Sequence, residues 1–235
     1  MKIQLTALPL ILALASSSAF AGPVADFEAG FRETYGSYRM ALFATNSGDA
    51  GKSIKAIGEF ETRWRDLVSK NGTTPPPHYQ DDPAWGETLA GVTETIGKAK
   101  QLADDGDLGQ SHEVLEHVRD AIGDLHARNN IVSFSDRMNA YHARMEHVIV
   151  TSAAGGEPGQ QVVEQAAVLA YLADDMLGTL PPEARDNMEF GKLADAVKAS
   201  VAAFQTAARS GDAAAIKAAV SGLKMPYSKL FLKFG

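Results

Sequence analysis

Apolar residues recur at steps of three and four along most of this chain, with few alternating stretches, which predicts helices throughout. A longer period lies on top of that one. Gly-Asp stands at Gly48-Asp49, Gly106-Asp107 and Gly211-Asp212, each time between two helical stretches. Glycine can end a helix with positive φ, and aspartate can cap the next. Aligned on that aspartate, Ile57, Leu115 and Val220 fall at one position, and Phe60, Val118 and Leu223 at the next. Trp64, Ile122 and Tyr227 follow, then Leu67, Leu125 and Leu230. These positions step by three, four and three, the signature of a single apolar helix face. Upstream the match holds at Tyr38, Ile96 and Val201, and at Phe27, Trp85 and Phe190. Each unit therefore reads as helix, tight turn, helix.

The units run roughly from Ala25 to Lys70, Pro83 to Arg128, and Asn187 to Phe234. Between the last two lies a divergent pair. Its first helix is expected to start at Ser135 as N-cap and to stop before Gly155-Gly156. Its second spans about Gln160 to Leu177 and ends before Pro181-Pro182. Eight helices follow. The expected fold class is all-α, repeated antiparallel helical hairpins forming one or two four-helix-bundle-like units. The Pro75-Pro76-Pro77 linker separates the first two hairpins. The expected organisation is residues 1–21 as a signal peptide, 22–128 as an N-terminal bundle half and 129–235 as a C-terminal half.

The N-terminus shapes the cellular expectation. Lys2, the apolar run Leu5 to Ala15 and the small-x-small site Ala19-Phe20-Ala21 read as a secretory signal, cut to leave Gly22 first. The expected location is the periplasm. No later run is long and apolar enough to insert in a membrane. The formal charge is −7, and removal of Lys2 makes it more negative. That balance argues against nucleic acid as a partner and favours cations. The chain has no cysteine. That excludes disulfides, thiolate metal sites and covalent c-type haem.

Five of the six histidines lie between Ser111 and His147, on two consecutive helices. His112-Glu113-Val114-Leu115-Glu116-His117 and His142-Ala143-Arg144-Met145-Glu146-His147 share the pattern His-x-x-x-Glu-His. Spacing of four puts imidazole and carboxylate on adjacent turns, where they can chelate a divalent metal. If the two helices run antiparallel about Ile131, Glu116, His117, Glu146 and His147 stand at one height. Met138, His142 and Met145 form a second stripe, and thioether with imidazole suits copper. Each has a plainer reading: Met138 and Met145 also sit on an apolar face, and His117 and His147 point outward. His112 and His142 flank the apolar faces and are the strongest individual candidates. No P-loop, dinucleotide fingerprint, nucleophile elbow or zinc-protease motif is present, so no catalytic residue is expected.

The helix–Gly-Asp–helix units, clearest from Phe190 to Gly235 with Ser210-Gly211-Asp212 and Met225-Pro226-Tyr227-Ser228-Lys229, resemble the cytochrome c-prime and cytochrome b562 type of helical bundle. The family's haem motif, Cys-x-x-Cys-His, is missing from the final helix. The resemblance therefore implies the bundle and not covalent haem. The expected function is a periplasmic metal-binding protein for copper or iron, in binding, delivery or storage. Its metal donors would be His112, His117, His142, His147, Glu116 and Glu146, with Met138 and Met145 added for copper. A periplasmic or inner-membrane transport protein would be the partner. The alternatives are a helical-repeat interaction module and a redox protein with non-covalent haem.

Overall fold

The computed structural model describes residues 22–153, 155 and 159–235; the predicted secretory signal lies outside the described residues. Their regular structure is α-helical apart from two single 3-10 turns. The N-terminal half contains α1 (Pro23–Asn46), α2 (Ala50–Asn71), α3 (Trp85–Asp104) and α4 (Leu108–Arg128). The C-terminal half contains α5 (Phe134–Ala153), α6 (Gly159–Gly178), α7 (Met188–Ser210), α8 (Ala213–Ser221) and α9 (Lys224–Phe234).

The three Gly-Asp turns do the work their residue types suggest. Gly48, Gly106 and Gly211 all take positive φ. Asp49 accepts a hydrogen bond from the Lys52 N–H, Asp107 from Gln110, and Asp212 from Ala214 and Ala215. Each carboxylate thereby satisfies donors that a helix start leaves open. Every residue in the repeat alignment is buried. They fill two cores, one running from Phe27 to Leu125 and the other from Phe134 to Phe234. In the first, α1 packs on α2 and α4, and α3 on α2 and α4. In the second, α5 and α7 pack on α6 and on the α8–α9 segment.

Two local expectations need correction. Ser133, not Ser135, opens α5. Its hydroxyl accepts from the Asp136 N–H at 3.2 Å while the Asp136 carboxylate accepts from the Ser133 N–H at 2.7 Å. This reciprocal capping box needs a partner three residues on, which Ser133 has. The final helix is also broken. Pro226 has no N–H to offer the Gly222 carbonyl, and its ring crowds that carbonyl. The chain tightens there, with Leu223 N–H bonded to Val220 O at 3.2 Å. After the break α9 starts at Lys224. It packs on α7 and α5 and also reaches α1 of the other half. This cross-contact closes the seam in which the candidate residues lie.

Candidate functional site

A cleft of about 640 Å³ lies in the seam, walled by α1, α4, α5, α8 and α9. It collects His112, Glu116 and Arg119 from α4, His142 and Glu146 from α5, and Lys224 and Tyr227 from α9. The apolar wall includes Leu42, Phe43, Met225 and Phe231. Phe43 and Met225 are more than half exposed.

The polar groups form one connected chain. His112 Nδ1 is 3.0 Å from Thr45 Oγ1 and 3.2 Å from Leu42 O. Thr45 gives its own proton to backbone carbonyls, so His112 Nδ1 carries a hydrogen and Nε2 points the other way. That Nε2 lies 3.9 Å from Glu116 Oε1, which Arg119 Nη2 approaches at 3.5 Å. Arg119 Nη1 reaches His142 Nδ1 at 3.3 Å. A guanidinium only donates, so His142 Nδ1 accepts and its proton sits on Nε2, facing Glu146 Oε1 at 3.6 Å. Lys224 Nζ closes the chain at 3.0 Å from the same Glu146 oxygen.

His142 is enclosed, with its side chain 18 % exposed and its ring stacked on Tyr227 at 5.2 Å between centroids. Burial, followed by the Arg119 charge, lowers its pKa to about 4. It is a neutral imidazole at ordinary pH. Tyr35, Tyr38 and Tyr227 surround Arg119 closely enough for mutual electrostatic influence. All three are buried, and the Tyr38 and Tyr227 hydroxyls have no hydrogen-bond partner. Burial pushes Tyr35 up to about 12 and the other two upward as well. All three therefore stay protonated. The centre of the seam thus holds the half-buried Arg119 cation and two O–H groups, on Tyr38 and Tyr227, with no acceptor.

The sequence candidates divide sharply. His112, Glu116, His142 and Glu146 share the cleft. His117 and His147, next along each helix, are exposed and face away from it; one residue is about 100° of helix. Met138 and Met145 are fully buried in the C-terminal core. Among the described residues no group of three or more His, Asp or Glu side chains is placed to hold a metal ion. The eight-residue donor set is therefore not brought together. The α4–α5 pair explains why. His126 meets Asp136, and Arg119 meets His142, so contacts fall about equally far on either side of Ile131, as an antiparallel hairpin requires. Yet α4 and α5 belong to different bundles and do not pack backbone to backbone. Arg119 fills the gap between their imidazoles.

Arg119 and Lys224 were not expected in the site. Arg119 had a readable signal, because His112, Glu116 and Arg119 step by four and three along one face of α4. Lys224 had none, since its position depends on the turn at Gly222. Outside the cleft, His78 Nε2 lies 2.8 Å from Glu28 Oε1. Comparison with protein-family models, with curated proteins and with solved structures finds no match. The fold and cleft define an all-α protein of two helical bundles with a polar cleft at their junction. Among the described residues no helix is long and apolar enough to cross a membrane.

Proposed function

We propose that this chain is a binding protein whose ligand is a small organic anion with an apolar tail, held in the cleft between the two halves. The observation that carries the reading is the partnerless Tyr227 hydroxyl near the half-buried Arg119, two residues that both line the cleft. A buried polar group without a partner costs about 1–3 kcal/mol, and an anionic oxygen beside Arg119 would satisfy this one. Charge agrees: Arg39, Arg119 and Lys224 outnumber Glu116 and Glu146 in the cleft, within a chain of formal charge −7. Leu42, Phe43 and Met225 offer an apolar wall to the tail. Mixed apolar walls with a few convergent polar groups are typical of small-molecule sites. Export through residues 1–21 belongs to the same reading, and a secreted product beginning at Gly22 checks it.

Calorimetric titration with octanoate tests the proposal. Saturable binding is expected, weakened about tenfold by Lys224→Gln or Arg119→Met, as the loss of one charged hydrogen bond implies. Octanol should bind far more weakly. Equal binding of octanoate and octanol, or none, would overturn it.

The second reading is a copper or iron site built from His112, Glu116, His142 and Glu146. The favouring observation is that the Nε2 atom of each imidazole is turned toward a carboxylate four residues on, in the same cleft. Neutral imidazole is the form that binds metal, and His142 is held neutral. Arg119 stands against this reading, since it occupies the space between the two donor pairs. Its removal separates the two: Arg119→Met weakens octanoate but strengthens Cu(II) or Fe(II) if the metal reading holds.

A further inference from the structure

The strongest feature outside the cleft is a buried histidine whose second ring nitrogen has no partner. His126 is 3 % exposed. Its Nδ1 lies 3.0 and 2.8 Å from the two oxygens of Asp136. Asp136 also accepts from the Ser133 N–H at 2.7 Å and the Ser133 hydroxyl at 2.8 Å. The carboxylate therefore fixes the His126 tautomer with its proton on Nδ1. Nε2 is left with no protein partner.

The His126 ring forms part of the wall of a cavity of about 430 Å³ in the seam. Phe31, Ile122, Phe134 and Phe234 supply apolar surface there. Arg32, Arg39 and Lys233 balance Glu28, Glu33 and Glu183 around it, so the cavity favours no net charge. Its volume far exceeds the roughly 30 Å³ share of one water. Three phenyl rings make poor partners for a water cluster.

We propose that this cavity is a second binding site, for a small neutral ring-bearing molecule with one hydroxyl group, whose O–H donates to His126 Nε2 while its ring packs among Phe31, Phe134 and Phe234. Asp136 acts on the ligand through His126, by holding the ring's orientation and tautomer. Its chemistry differs from that of the charged cleft, and it stands independently of the anion proposal.

The probe pair is p-cresol and toluene, nearly the same shape with and without the hydroxyl. Each is titrated into the whole protein while the ¹⁵N signals of the His126 ring are followed. Saturable p-cresol binding is expected, about tenfold tighter than toluene, for a single hydrogen bond to a buried acceptor. The Nε2 signal should move and the Nδ1 signal stay. His126→Gln should reduce that preference to about twofold, with folding checked by circular dichroism. Equal affinity for the two probes in the wild type, absence of saturation, or saturation without a His126 Nε2 shift would overturn the proposal.

Discussion

The cores of the two halves and the seam between them follow opposite rules. Inside each core the repeat positions are apolar and tightly enclosed, as with Ile57, Phe60 and Leu115 on one side and Leu223 and Leu230 on the other. The seam instead encloses charged and titratable groups, Arg119 and His142 among them, beside hydroxyls with nothing to bond, which Tyr79 and Tyr141 also leave in the cores. Tyr38 belongs to both. Its ring packs on Phe60 at 5.5 Å between centroids, while its hydroxyl has no partner. A core built only for stability would use phenylalanine there. The difference teaches that each half is built around its own apolar faces while charged groups collect in the seam, where the proposed function places a ligand.

Truncation inside a core should give the largest effect. Phe60→Ala should cost about 3–5 kcal/mol, the usual range for a buried aromatic residue, read as a lower midpoint in urea. A loss under 1 kcal/mol would remove the distinction between core and seam. Acid should give the next effect, through His142. Its ordinary pKa of 6.5 falls to about 4 in the folded protein. The unfolded chain then binds the proton first as pH falls, so stability is full above 6.5 and declines toward pH 4. The loss should approach roughly 3 kcal/mol. His142→Phe should flatten that part of the profile, measured by urea melts across the window; an unchanged slope would contradict the burial of His142 against Arg119.

A smaller effect carries the opposite sign. Tyr38→Phe removes an unsatisfied hydroxyl and leaves the ring in place, so the free protein should gain up to about 1 kcal/mol or stay level. A fall in melting temperature would mean that the hydroxyl has a structural partner. The smallest expected change is at a cap: Asp212→Ala should cost about 1 kcal/mol, checked by thermal melts, with octanoate affinity untouched because the cap lies outside the cleft.

The contrast between core and seam also marks how far the sequence could be read. The repeat alignment located the cores because helix periodicity and burial are local properties of a stripe. The Gly-Asp turns were legible for the same reason, as glycine supplies the positive φ and aspartate the cap. The seam was legible only in part. His112, Glu116, His142 and Glu146 were expected to converge, and they share a cleft. His117 and His147 were included because their spacing repeats, but a single residue's rotation carries them to the exposed side. Met138 and Met145 have a stripe that suits either ligation or packing; both fill the C-terminal core. Hairpin register alone could not say that α4 and α5 would separate into two bundles. That outcome depends on which faces the other helices cover. Pro226 was visible, yet a proline near a helix start is tolerated. Only the position of α9 against α1 reveals what the break accomplishes.

The claim that the seam is polar for the sake of an anion is tested most directly by octanoate affinity in Tyr227→Phe, a change at a residue that lines the cleft, compared with the wild type. The account expects the variant to fold at least as stably as the parent in the free state and to bind octanoate about five- to tenfold more weakly, as loss of a hydrogen bond to a charged oxygen implies. Unchanged affinity, with stability reduced, would assign this hydroxyl to the scaffold and contradict the account.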